Sequence, residues 1–254
     1  RQMEHRPVEP VMMLADILDE EASPTRDRWL SDPVLWAQER LGIMPWSKQV
    51  EILNSVRDNP LTAVHTCHNI GKSYAAATLV CWWIDAHVPG GAFVVTTAPT
   101  GAQVKAILWR YINAMHEKSQ LVGRTNMTEW IIGNELVGYG RKPSEYQPDA
   151  FQGIHALYVL VILDEACGVP ETLWDAASTI TSNEGSRTLA IGNPDDPLSR
   201  FAKVCQPGSF WHTIGIGAED TPNFTGEPVS KELAASLISR SWAEQKKIEW
   251  GIDS

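Results

Sequence analysis

Leu61-Thr62-Ala63-Val64-His65-Thr66-Cys67-His68-Asn69-Ile70-Gly71-Lys72-Ser73 is the stretch whose reading decides the fold. Its first six residues are short, apolar and β-branched, the pattern of a buried strand. A loop then closes on Gly71-Lys72-Ser73, and the apolar run from Tyr74 to Ile84 reads as a helix that stops before Pro89-Gly90-Gly91. Strand, loop, Gly-Lys-Ser and helix, in that order, is the layout of a phosphate-binding loop. Backbone N–H groups at a helix start, reinforced by the helix dipole, hold an anion. The candidate nucleotide contacts are therefore Thr66, Cys67, His68, Asn69, Ile70, Gly71, Lys72 and Ser73. Gly71 lets the backbone approach the phosphates, Lys72 reaches the β- and γ-phosphates, and the Ser73 hydroxyl is a Mg²⁺ ligand. The usual pattern places glycine five residues before Gly71, where this chain has Thr66.

Working outward, 254 residues suffice for one large domain with extensions. A hydrophobic content of 43% and a charged content of 20% are those of a soluble globular protein. No apolar run reaches membrane-spanning length and no signal peptide is visible, so a cytoplasmic setting is the default. The first residue is Arg1 rather than methionine, as in a fragment. The four cysteines, Cys67, Cys81, Cys167 and Cys205, form no Cys-x-x-Cys pair, which argues against a zinc site or a disulfide framework. A net charge of −10 argues against a chain that coats nucleic acid with its whole surface. The eleven tryptophans show no repeat spacing and read as packing residues.

Upstream of the loop, residues 1–30 are polar, with Pro7, Pro10 and Pro24, and read as a flexible extension in which only Val11 to Leu18 is amphipathic. Asp32-Pro33 starts a helix that ends at Gly42. Ser47 is placed to cap the next helix, with an apolar face of Val50, Leu53 and Val56. Gln49 precedes the phosphate loop on that helix, and its amide can both donate to and accept from an adenine edge.

Downstream, Ala92 to Thr97 is a second buried strand and Gln103 to Met115 a helix. Trp130 to Ile132 and Glu135 to Tyr139 form a hairpin around Gly133-Asn134. Arg141 to Gly153 is loop-like. Leu157 to Leu163 then delivers Asp164 and Glu165 at the carboxyl end of an apolar strand, where ligands bind in open α/β sheets. Asp164 can organise the Mg²⁺ shell, and Glu165 can polarise an attacking water. Strands at Ser186 to Ile191 and Phe210 to Ile214 follow. The first runs into Gly192-Asn193-Pro194, which places Asn193 near a γ-phosphate if that strand ends beside the loop. Ser230 to Ser239 is a helix. Ser241 to Glu244 fits a capping box for a last helix to Trp250, stopped by Gly251. With no closing element after it, the chain reads as continuing in a parent protein.

Taken together, Pro45-Trp-Ser-Lys-Gln49, Cys67 to Ser73, Thr97 to Gln103, Phe151 to His155, Ile162 to Ala166 and Ile191 to Pro194 resemble the ATPase domain of the large terminase subunit of tailed bacteriophages. The resemblance spans roughly residues 30 to 254. It implies a three-layer α/β nucleotidase with a mainly parallel central sheet, of the additional-strand catalytic-glutamate type. It also implies a motor using ATP and Mg²⁺ to move double-stranded DNA into a procapsid in the cytoplasm of an infected bacterium. The implied partners are the portal, a small terminase subunit and further copies of the chain in a pentameric ring, with no membrane. On this reading 31–228 is the ATPase core, and 229–254 is a helical segment leading to a nuclease domain for which this chain has no room.

Carried over by motif, Lys72 and Ser73 match the phosphate-loop lysine and metal-ligating hydroxyl. Asp164 and Glu165 match the metal-organising and water-activating carboxylates. Gln49 matches the adenine reader, and Gly192 and Asn193 the coupling segment. Two arginines common in relatives are missing. Inside the phosphate loop this chain has His68 or Asn69, and before the Asp-Glu strand its nearest equivalent is Gln152. Arg141 or Arg124, and less readily Arg200, are the candidates for a finger on the next subunit's ATP. A helicase-like DNA-dependent ATPase and a non-hydrolysing nucleotide-binding assembly module are the rival readings.

Overall fold

The structure is a computed structural model that describes residues 24–142, 154 and 156–250. The expected amphipathic stretch 11–18, the segment 151–153 with Gln152, and the Gly251 stop lie outside the described residues.

The expected buried strands assemble into one eight-stranded sheet. β1 (Leu61–Thr66), β2 (Ala92–Thr97), β3 (Arg124–Asn126), β4 (Glu129–Ile132), β5 (Glu135–Arg141), β6 (Tyr158–Asp164), β7 (Arg187–Gly192) and β8 (His212–Ile216) lie in the order β3-β4-β5-β2-β6-β7-β1-β8. Every pairing from β5 to β8 is parallel, and only β3–β4 and β4–β5 are antiparallel. The phosphate-loop strand β1 and the Asp-Glu strand β6 are not neighbours, because β7 lies between them. This inserted strand defines the additional-strand arrangement, so the α/β expectation holds. β3 had no strand signature in the sequence. It is a three-residue edge strand that exists by pairing with the Trp130 hairpin.

Successive side chains of β6 divide the interior into two layers. Leu160 and Ile162 face one core and Val159, Val161 and Leu163 the other. The first face is covered by α1 (Pro24–Ser31), α2 (Pro33–Trp36, widening into a π turn at Ala37–Leu41), α3 (Ser47–Asp58), α4 (Lys72–Ala86) and α5 (Gly101–Gln103, then a π turn at Val104–Leu108, then Trp109–Ser119). α4 is buried along almost its whole length, which is why its sequence is apolar all round. The opposite face is covered by α6 (Glu171–Ile180) and α7 (Arg200–Val204), through Leu173, Trp174, Ala177 and Phe201. Trp36, Trp46, Trp82, Trp83, Trp109 and Trp130 are buried, in line with a packing role.

Asp32 caps α2 as expected, accepting from Val34 and Leu35, and Gly42 ends it in a left-handed conformation at φ 64°. Two caps differ from expectation. Ser47 is the first residue of α3 rather than its cap, and its N–H and hydroxyl both donate to Glu227 at 2.8 and 2.7 Å. The last helix, α10 (Arg240–Trp250), follows α8 (Pro222–Thr225) and α9 (Lys231–Ser236), and its cap is Ser239 rather than Ser241. Ser239 Oγ accepts from Trp242 N at 3.2 Å. Ser236, Ser239 and Ser241 all stand near the start of α10, and at α3 the one serine present is taken up by the tertiary partner Glu227.

Candidate functional site

Because β1, β6 and β7 are parallel, their carboxyl ends share one edge of the sheet, and the loop after β1 crosses that edge. Asn69 at φ 55° and Gly71 at φ 80° turn the backbone into α4. Glycine makes this possible at 71, since that φ disfavours a side chain. A Cβ there would also meet Gln49 Nε2 at 3.0 Å. The loop is pinned from two sides. Cys67 N donates to Ile216 O at 3.0 Å, and Ile238 N donates to Asn69 O at 2.9 Å.

Lys72, the first residue of α4, points at the ends of β6 and β7. Its Nζ lies 3.1 Å from Glu165 Oε1 and donates to Asn193 Oδ1 at 3.0 Å. Asn193 Nδ2 in turn lies 3.0 Å from His68 Nε2. Glu165 has a left-handed backbone at φ 48° and ψ 50°, which costs a non-glycine residue about 1–2 kcal/mol. Gly192 makes that turn possible, because a Cβ on it would approach Ala166 N to 2.9 Å. Asp164 is 1% exposed and accepts from Glu165 N at 3.1 Å. Burial, then the neighbouring Glu165 charge, push its pKa up to about 7, against the opposing pull of Lys72. Ser73 and Asp164 offer hard oxygen donors. A buried carboxylate raised in this way is stabilised by an adjacent cation, so the pair fits Mg²⁺.

A cavity of about 1010 Å³ opens over this edge, lined by His68 through Ser73, Gln49 and Glu165. Thr66, Cys67, Asp164 and Asn193 are not among its lining residues. The Thr66 hydroxyl is buried without a hydrogen-bond partner, and burial pushes the Cys67 thiol up. Gln49 is 3% exposed, and both ends of its amide are engaged. Its Oε1 accepts from Trp46 N and its Nε2 donates to Gly71 O, each at 3.4 Å. It is not a solvated helix residue.

Sequence reasoning missed the apolar half of the cavity. Ile43, Met44 and Pro45 come from the link between α2 and α3, Ile107 and Tyr111 from α5, and Val229 and Leu233 from the C-terminal segment. Ile107 and Tyr111 are four residues apart, a legible helical stripe, but nothing in the sequence says what it faces. The stretch expected to be a separate C-terminal helical segment, 229–254, contributes a wall through α9. It is tied down by Asn223 Nδ2, which donates to Ala234 O and Ile238 O, each at 2.9 Å.

No arginine among the described residues lines the cavity. Arg141 ends β5, with its guanidinium 4.5 Å from the Tyr139 ring centre. Four inter-strand steps separate β5 from β1, about 19 Å at usual spacing, so Arg141 does not reach this chain's own loop. Arg124 lies on the far edge strand and donates to Gly133 O at 3.4 Å. Arg200 is held by Glu171 and Asp175.

A loop of this geometry, facing an Asp-Glu pair across one inserted strand, is the arrangement of a three-layer α/β P-loop fold. Among solved structures the chain has the fold of large-terminase ATPase domains. The ATPase domain of the Thermus phage P74-26 large terminase superposes with a TM-score of 0.58 at 17% identity, over 83% of this chain and 90% of that one. The large terminase of a thermophilic bacteriophage, solved in complex with ADP, gives 0.53 at 16% identity, over 74% and 48%. The HK97 bacteriophage large terminase gives 0.53 at 15%, over 81% and 50%. The match thus extends over about half the length of the latter two proteins. No protein-family model matches the sequence, and no curated protein matches it either. Among the described residues no helix is long and apolar enough to cross a membrane.

Proposed function

We propose that this chain is a Mg²⁺-dependent ATP hydrolase, and within that class the motor domain of a viral DNA-packaging terminase that translocates double-stranded DNA into a procapsid. The observation that carries the reading is the convergence of Lys72 and Glu165, 3.1 Å apart at the foot of a cavity with a phosphate loop on one side and apolar walls on the other.

In this reading the apolar walls and Gln49 take the base, and the loop N–H groups and Lys72 take the phosphates. Bound phosphate oxygens compete for Lys72 and release Glu165. The freed carboxylate then orients a water for in-line attack on the γ-phosphorus, leaving ADP and phosphate. Ser73 and Asp164 would hold Mg²⁺, which when bound neutralises charge on the β- and γ-phosphate oxygens. Asn193 sits where a change at the γ-phosphate reaches β7. The cavity has no arginine of its own among the described residues, which supports completion by a neighbouring copy, with Arg141 on an outer strand as donor. A finger of this kind is worth about 10³–10⁵ in rate. A pentameric ring, a portal, a small terminase subunit and the bacterial cytoplasm follow from the same reading. The fold neighbours favour it over a helicase-like ATPase.

The same lack of an arginine favours the rival reading of a non-hydrolysing nucleotide-binding assembly module. Steady-state ATP hydrolysis with Mg²⁺, for the chain and for Lys72→Ala over a range of protein concentrations, separates the two. Lys72-dependent turnover rising faster than linearly with concentration is the expected result. Tight nucleotide binding without Lys72-dependent turnover establishes the binding module.

A further inference from the structure

We infer that His68 is a positioning residue which sets the polarity of a hydrogen-bonded chain running His68–Asn193–Lys72–Glu165 and so controls how firmly Lys72 holds Glu165. The inference rests on the hydrolytic reading above and adds a residue to it.

The argument starts from Lys72, whose ammonium can only donate. Its 3.0 Å contact with Asn193 therefore requires the carbonyl end of that amide to face it. The NH₂ end is then turned toward His68 Nε2, 3.0 Å away, and an NH₂ group also only donates. So Nε2 must be the unprotonated, accepting nitrogen, and His68 must be neutral with its proton on Nδ1. Each link fixes the next, and Asn193, at 5% exposure, has little room to find other partners.

The functional consequence lies in the alternative. A side chain at position 68 that can only donate would turn the Asn193 amide over and present NH₂ to Lys72, donor against donor. Lys72 would then lose an acceptor and lean on the one that remains, Glu165 Oε1 at 3.1 Å. The carboxylate would be held back from water when it is needed. An accepting residue at 68 thus lowers the cost of freeing Glu165. The effect falls on turnover more than on nucleotide affinity, because the loop backbone that binds phosphates is untouched.

Two measurements on the full chain test this. The first is the imidazole ¹⁵N spectrum of the nucleotide-free chain, with His68 assigned among the seven histidines by its loss in His68→Gln. A signal pattern with the proton on Nδ1 and a hydrogen-bonded, unprotonated Nε2 is expected. A proton on Nε2 overturns the inference whatever the turnover. The second is steady-state hydrolysis by H68K, H68Q and H68K combined with N193D. The donor-only H68K should lose roughly tenfold in kcat, the scale of one buried donor left without an acceptor, with a smaller change in KM. H68Q, which keeps an acceptor, should recover most of that loss. The H68K/N193D pair should recover it too, since a carboxylate at 193 accepts from both sides. If the unsubstituted chain hydrolyses ATP in a Lys72-dependent way and H68K matches its kcat, the inference fails and the hydrolytic reading stands. If the unsubstituted chain shows no Lys72-dependent turnover, the hydrolytic reading fails and the positioning role falls with it.

Discussion

Lys72 Nζ stands 3.1 Å from Glu165 Oε1, although the two residues leave the sheet from strands that are not neighbours. The pair is possible because β7 ends in Gly192-Asn193, a glycine that lets the Glu165 turn pack close and an amide that gives the ammonium a second acceptor. With 9% exposure, Lys72 is well shielded from water, so the contact is not a loose surface pair.

Glu165→Gln should therefore keep nucleotide binding while losing turnover. It removes the group proposed to polarise water and frees Lys72 for phosphate. A fall of about 10²–10⁴ in kcat is expected, with KM for ATP unchanged or lower. Measuring ATP affinity alongside hydrolysis checks this, and a variant that turns over as fast as the parent removes Glu165 from the mechanism.

Gly192→Ala should damage the site without touching any charged group. The added methyl would sit 2.9 Å from Ala166 N and 3.2 Å from Glu165 Cα, both backbone atoms that cannot swing aside. Overpacking of this kind costs about 1–3 kcal/mol. A lowered Tm, together with a loss of turnover larger than the loss of nucleotide affinity, is expected from paired thermal melts and kinetics.

Gln49→Ala should weaken base selection. Gln49 lines the cavity, and its amide is held by Trp46 N at one end and Gly71 O at the other, which fixes the positions of its donor and its acceptor. Its removal should raise KM for ATP several-fold, about one hydrogen bond's worth, and reduce discrimination against GTP. Competition between the two nucleotides, measured on parent and variant, checks it.

Stability should fall in mild acid because of His87. This ring is buried at 5% exposure, with Nδ1 donating to Trp83 O at 2.7 Å, and burial lowers its pKa to about 4 from 6.5. The unfolded chain binds a proton between those values and the folded chain does not. Stability from this group is complete above pH 6.5 and is lost as pH falls toward 4, by roughly 2 kcal/mol at pH 5. Urea denaturation of the parent at pH 7 and pH 5 should show the loss, and His87→Phe should flatten it.

The strand-loop-helix at Leu61 to Ile84 and the strand at Tyr158 to Asp164 were legible because each carries its own local pattern. The hairpin around Gly133 was legible for the same reason, since a tight turn needs residues that accept a positive φ. Ser47 and Ser239 show where local signals stop. A serine's capping value depends on which N–H groups and acceptors the rest of the chain brings to it.

The sequence by itself determined the α/β class, the phosphate loop and the two carboxylates, since strand burial, helix starts and Gly-Lys-Ser are all encoded within a few residues. Only the tertiary structure decided that β7 lies between β1 and β6, and that Asn193 links His68 to Lys72. It alone showed that Tyr111 and α9 complete the cavity and that Arg141 lies too far out to serve its own loop. These relations join residues distant in sequence, and sheet order and helix docking are set by the free energy of packing the whole core, which no short window contains.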